Sequence, residues 1–170
     1  MTFYISELKT QDYLSVKDIF RETFLKEGVP IDTLGYRWRN RSIPDSYGIY
    51  TRAGDLIGFA LVSDGSHYQK QKQKKVQIDK AAKPIQSRYL SLLALHPAFR
   101  GTNLGSQLMA VILKKCIADN KSLCLFPLDN TRLKDWYKRC GFYESVKDYY
   151  NFHYHSTRKQ APYLEKLRAC

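Results

Sequence analysis

The most constraining feature of the chain is the run Leu93-Ala94-Leu95-His96-Pro97-Ala98-Phe99-Arg100-Gly101-Thr102-Asn103-Leu104-Gly105-Ser106-Gln107-Leu108. It opens on the end of a nearly continuous apolar stretch, Tyr89 to Leu95, which reads as a strand buried on both faces. The strand ends at Pro97, a tight turn follows, and a helix begins around Leu104. Apolar residues at Leu104, Leu108, Val111, Ile112 and Leu113 carry that helix to Ala118, with one face packed on a sheet. A strand–turn–helix of this kind aims several backbone N–H groups at one point, at the positive end of the helix dipole. Glycine matters there because a Cβ would hold the backbone away from phosphate oxygens. The segment is an anion cradle suited to a pyrophosphate. Two glycines also occur in purely structural turns, so this signal needs support from elsewhere in the chain.

The remaining segments predict a mixed α/β domain. Phe3 to Leu8 reads as a strand with Phe3, Ile5 and Glu7 on one face. Asp12 is the expected N-cap of a helix carrying Leu14, Ile19, Phe20, Phe24 and Leu25, which Gly28 and Pro30 end. A short helix over Asp32 to Arg39 leads into the cluster Tyr36-Arg37-Trp38-Arg39-Asn40-Arg41. Tyr47 to Arg52, a Gly54-Asp55 turn and Leu56 to Val62 form a hairpin signature. Leu123 to Leu128 reads as a strand, Asn130 to Lys138 as a helix stopped near Gly141, and Phe142 to Ser145 with Tyr149 to His155 as a closing antiparallel pair. The order is βα(α)ββ–βαβαββ, an α/β (α+β) arrangement of one mixed sheet flanked by helices. Between Ser63 and Gln86 the pattern breaks: Lys70, Lys72, Lys74, Lys75, Lys80 and Lys83 alternate with glutamines and no apolar face recurs. This stretch reads as an inserted loop within a single domain spanning residues 1–170.

Charge bounds the partners. Lys+Arg total 28 against 16 Asp+Glu, a formal net charge of +12. Such a field favours nucleotides, nucleic acid and acidic or neutral acceptors over polycations. Cys116, Cys124, Cys140 and Cys170 show no CxxC spacing and no zinc-finger histidine, so they read as reduced thiols in a cytoplasmic protein without a metal. No stretch approaches the roughly 20 apolar residues of a membrane span. The first residues show no basic n-region and apolar core, so no secretory signal is expected. Oligomeric state is open.

The Leu93–Leu108 segment resembles motif A of the GNAT N-acetyltransferases, whose loop runs Arg/Gln-x-x-Gly-x-Gly/Ala. Arg100 supplies the first position and Gly105 the last, while Asn103 replaces the middle glycine. Asparagine is the side chain that best tolerates left-handed backbone angles. Downstream, Asn130, Leu133, Trp136, Tyr137, Gly141 and Phe142 are similar to motif B, Asn-x-x-Ala-x-x-x-Tyr-x-x-x-Gly-Phe, with Leu133 in the alanine position. The resemblance implies the GNAT fold, with a mostly antiparallel central sheet and a V-shaped splay around Leu92–Leu95 and Leu123–Phe126. It implies acetyl-CoA as co-substrate. Leu93, Leu95, Arg100, Gly101, Thr102, Asn103, Leu104, Gly105, Ser106 and Asn130 would hold it, with Tyr137 as the general acid for the departing thiolate.

The acceptor side is less determined. Trp38, Arg39 and Tyr149 are candidate substrate-binding residues, with Arg37 and Arg41 beside them. The acceptor is expected to be a small-molecule or peptidic amine, not a polycation. An RNA-linked amine, or a non-catalytic nucleic-acid-binding module on the same fold, are the alternatives. A base or a water relay is expected because a lysine-like amine with pKa about 10.4 is mostly protonated at neutral pH. Glu22, Glu27, Asp32 and Glu144 are the available carboxylates, each reading more readily as a solvated surface group. Cys140 lacks surroundings that would activate it as a nucleophile.

Overall fold

The structure is a computed structural model that describes residues 2–65, 87–128, 130–144 and 152–154. Of the stretch read as an insertion between Ser63 and Gln86, the residues from Ser66 onward lie outside the described residues, as does the candidate Tyr149. In chain order the elements are β1 (Phe3–Glu7), α1 (Tyr13–Glu22), α2 (Ile31–Arg39), β2 (Tyr47–Thr51), β3 (Leu56–Asp64), β4 (Ser87–Leu95), α3 (Leu104–Ala118), β5 (Ser122–Leu125), α4 (Thr131–Arg139), β6 (Tyr143–Glu144) and β7 (Phe152–Tyr154). They form two compact units, Met1–Val62 with Ser91–Ile112, and Ser63–Leu90 with Leu113–Cys170.

In the first unit the strand order is β1-β2-β3-β4. β1–β2 and β2–β3 are antiparallel. The hairpin between β2 and β3 closes as expected, with Gly54 at φ +94° and its N–H donating to Thr51 O at 2.9 Å. Gly58 packs tightly: a Cβ there would come within 2.9 Å of a Leu95 side-chain carbon. The core gathers Val16, Ile19 and Phe20 of α1, Leu34 and Trp38 of α2, Phe59 and Leu61 of β3, and Leu92 and Ala94 of β4. Each fully buried large side chain contributes about 1.5–3 kcal/mol.

Two local expectations are corrected here. Leu14 is 71% exposed, because the buried stripe of α1 runs Val16, Ile19, Phe20, at i, i+3, i+4 spacing, and Leu14 lies off it. Asp12 stands at the N-cap position but its side chain makes no cap bond to α1. Its Oδ2 instead accepts from Lys9 N–H at 2.8 Å and from the Tyr50 hydroxyl at 2.7 Å, tying the entry of α1 to β2.

In the second unit the order is β4-β5-β7-β6. β4 and β5 run parallel, with Ser87, Arg88 and Tyr89 opposite Ser122, Leu123 and Cys124. β5–β7 and β6–β7 are antiparallel, which makes the sheet mixed and mostly antiparallel. The Cys124 thiol donates to Arg88 O at 3.2 Å, and burial pushes it up to about 12. Cys116, Cys124 and Cys140 are all buried, and none of the three forms a disulfide. β4 itself departs from its reading as a strand buried on both faces. Leu90, Leu92 and Ala94 are buried while Ser91, Leu93 and Leu95 are only half-buried, an alternation that the apolar identity of Leu93 and Leu95 conceals.

Candidate active site

The site is built from the strand end upward. His96 leaves β4 with its N–H donating to Ile57 O at 2.8 Å, which fixes the strand end to β3. Pro97 to Phe99 then make a single 3-10 turn, with Pro97 at its start where a missing N–H costs nothing. His96 caps this turn with its ring: Nδ1 accepts from Ala98 N–H at 3.1 Å. The Phe99 N–H donates to His96 O at 2.9 Å, and the Arg100 N–H to Pro97 O at 3.3 Å. The Thr102 hydroxyl donates to Phe99 O, closing the loop on itself.

Beyond Arg100 the backbone reverses twice. Gly101 sits at φ +76° and Asn103 at φ +64°. Nothing lies within 4 Å of a Cβ built on Gly101, so the surface above it is open. Asn103 therefore holds a left-handed conformation at the position where the GNAT motif has glycine, as its residue type allows. Its carbonyl accepts from Gln107 N–H at 3.1 Å, which opens α3. The amides of Leu104, Gly105 and Ser106 precede that bond and form the first turn, at the positive end of a 15-residue helix. Arg100, Gly101, Thr102 and Asn103 are exposed, Gly105 and Ser106 half-buried, and Leu104 anchors the turn in the core at 4% exposure. The first unit thus brings together the whole predicted loop, Arg100 to Ser106, with Leu93 and Leu95 on the strand that leads into it. The β4–β5 ladder ends at Tyr89, so neither leucine belongs to it.

In the second unit Asn130 is the N-cap of α4, its Oδ1 accepting from Leu133 N–H at 3.1 Å. Two turns on, Tyr137 is buried at 6% exposure among aromatic rings. Its ring centroid lies 5.0 Å from Trp136, 5.6 Å from Phe142 and 6.2 Å from Phe152. Burial, then the neighbouring Cys140 and Tyr89, push its hydroxyl well above the ordinary tyrosine value, so it keeps its proton at any physiological pH.

The Trp38 ring lies in the core, 5.2 Å from Tyr13, with the Arg41 guanidinium 3.9 Å over the ring. Arg41 also donates from Nη1 to Trp38 O at 2.8 Å, and burial lowers its pKa. Arg39 is exposed on α2. Glu22, Glu27, Asp32 and Glu144 are all solvent-exposed. Glu22 pairs with Lys26 at 2.8 Å, which holds its carboxyl below the usual range, and Glu144 faces Lys138 at 3.5 Å. Among the described residues no three His, Cys, Asp or Glu side chains gather as metal ligands. Among the described residues no helix is long and apolar enough to cross a membrane. The ring of His96 is the one feature of this loop that the sequence did not assign a task. Its signal was position, immediately before a proline at the first place of a turn, where an N-cap acceptor belongs.

These observations first define a class: a mixed α/β protein whose first unit carries a glycine-bearing loop leading from a strand end into a helix N-terminus. The chain belongs to the Acetyltransferase (GNAT) family, whose sequence profile it matches over residues 13–142. Members of that family are acetyl-CoA-dependent N-acetyltransferases. No curated protein matches it in sequence. Several solved structures share the fold. Ard1 from Thermoplasma volcanium aligns with a TM-score of 0.67 and 23% identity, covering 91% of this chain and 98% of its own. The ribosomal-protein-S18-alanine N-acetyltransferase from Escherichia coli aligns at 0.60 and 15%, covering 89% of each chain. A GNAT family acetyltransferase from Brucella melitensis in complex with acetyl-CoA aligns at 0.63 and 16%, covering 91% and 88%.

Proposed function

We propose that the chain transfers an acetyl group from acetyl-CoA to a small-molecule or peptidic amine that is neutral or acidic, by direct attack. The observation that carries this reading is the loop from Arg100 to Ser106, with left-handed positions at Gly101 and Asn103 feeding a helix N-terminus. Backbone amides there would take the pyrophosphate oxygens, and the exposed Arg100 would add a charge-assisted contact. The acetyl-CoA bound to the Brucella melitensis relative supports the choice of donor. The half-buried edge of β4 around Leu93 and Leu95 would take the pantetheine arm by strand-like hydrogen bonding, and one of its N–H groups would polarise the thioester carbonyl.

In the reaction the amine nitrogen bonds to the acetyl carbon, the C–S bond breaks, and Tyr137 gives its proton to the departing thiolate. The amine's own proton passes to solvent, since the exposed carboxylates named above sit in water and two of them are paired with lysines. A tyrosine held protonated by burial suits this task, because it cannot be lost to ionisation near neutral pH. The preference for a non-cationic acceptor rests on the net charge of +12. The Escherichia coli relative acts on a ribosomal protein's alanine, which makes a peptide N-terminus a reasonable first acceptor to supply.

The test is steady-state acetyl transfer over a panel of amines and peptides. Tyr137→Phe is expected to lower kcat by about a hundredfold, the low end for a general acid, with little change in KM for acetyl-CoA. Arg100→Ala is expected to raise that KM and spare kcat. An active Tyr137→Phe enzyme would remove Tyr137 from the mechanism.

A further inference from the structure

We infer that His96 is a positioning residue for the phosphate-binding loop, acting through its imidazole as the acceptor that shapes the turn before Arg100. The inference rests on the reading of Arg100–Ser106 as a pyrophosphate cradle. Three bonds meet at this one residue. Its N–H is held by Ile57 O at 2.8 Å, its carbonyl accepts from Phe99 N–H at 2.9 Å, and its Nδ1 accepts from Ala98 N–H at 3.1 Å. The first two belong to the backbone and survive any substitution that keeps the fold. The third belongs to the side chain alone.

That third bond has consequences down the loop. The acceptor is Nδ1, so in this arrangement the ring's proton sits on Nε2. The ring also meets Phe99 edge-on, with centroids 6.0 Å apart, and Phe99 in turn meets Phe3 of β1 edge-on at 5.8 Å. Phe99 O is where the Thr102 hydroxyl donates, and Arg100 N–H donates back to Pro97 O. The direction in which the chain leaves the turn, and with it the placing of Arg100, Gly101 and Asn103, is therefore set from His96 outward. Without the Nδ1 acceptor the Ala98 N–H turns to water and the turn loses its cap, while the strand, the helix and both left-handed residues remain. The loss should appear in donor binding, and only for donors that carry phosphates.

Two variants separate the ring's shape from its lone pair. His96→Phe keeps an aromatic ring beside Phe99 but has no acceptor, whereas His96→Asn keeps an acceptor of the ordinary N-cap kind. Calorimetry with acetyl-CoA and with acetyl-pantetheine, which lacks the diphosphate, is run on the full chain alongside thermal melts. The expected result is that His96→Phe binds acetyl-CoA roughly fivefold more weakly, the scale of one lost N-cap, with a matching rise in KM and an unchanged kcat. Acetyl-pantetheine binding should not move, and His96→Asn should restore the acetyl-CoA affinity. Equal acetyl-CoA binding by His96→Phe and wild type would overturn the inference. So would an equal loss for both donors, which is what general loosening of the fold produces. A wild type that binds acetyl-CoA no tighter than acetyl-pantetheine would instead remove the cradle on which the inference stands.

Discussion

At the scale of single residues the chain sets left-handed backbone angles at Gly101 and Asn103 in the loop before α3. Asn103, at φ +64°, takes the left-handed position that the family gives to glycine. A β-branched residue cannot hold that angle without strain of about 1–2 kcal/mol. Asn103→Val is therefore expected to lower the unfolding free energy measured by urea titration by that amount, while Asn103→Gly leaves it within a few tenths of a kcal/mol. Tyr137 gives a pH prediction. Its pKa is raised, so as a general acid it stays protonated until pH climbs through a value above that of free tyrosine, near 10. The kcat profile should show no descending limb from this group below about pH 10. A limb near pH 8 that vanishes in Tyr137→Phe would contradict the burial seen in the structure.

At the scale of elements, legibility followed the strength of the pattern. α3 runs Leu104–Ala118, the span its apolar spacing predicts, and Asn130 caps α4 as an Asn before an apolar-periodic run should. The C-termini also follow their signals. At the end of α4 the Gly141 N–H donates to Lys138 O and the Phe142 N–H to Tyr137 O, with Gly141 at φ +100°, so the helix stops in a Schellman turn. Asn120, at φ +52°, ends α3 in the same way. α1 is less legible, because Leu14 is apolar yet off the stripe, while Val16 lies within it. The paired task of Asp12, toward Lys9 and Tyr50, depends on a contact 38 residues away that no local pattern encodes. Of the site, glycine and asparagine positions were readable because backbone angle follows residue type. The His96 cap was not, because imidazole is an uncommon N-cap. The end of α4 supplies a stability test. A Cβ on Gly141 would stand 3.1 Å from Tyr154 Cε2 at a left-handed angle. Gly141→Ala should therefore cost upward of about 1 kcal/mol and lower the melting temperature by a few degrees.

At the scale of the whole molecule, buried acids set the response to alkali. Burial raises the hydroxyls of Tyr50, Tyr137 and Tyr154 above the ordinary tyrosine value and pushes the Cys124 thiol up to about 12. Each keeps its proton in the folded chain to a higher pH than in the unfolded one. Their contribution to stability is complete below the unfolded values and is lost as pH rises toward the folded ones. The urea midpoint should fall steadily from about pH 9 to pH 11, first from the thiol and then from the phenols. A midpoint flat across that range would show these groups to be solvated. The central claim is that the loop after β4 is a seat for the phosphates of acetyl-CoA. Isothermal calorimetry of acetyl-CoA against wild type and Arg100→Ala measures it most directly. The account predicts micromolar-range binding by the wild type, weakened in Arg100→Ala with the fold intact. A folded wild type that binds no acyl-CoA would contradict it.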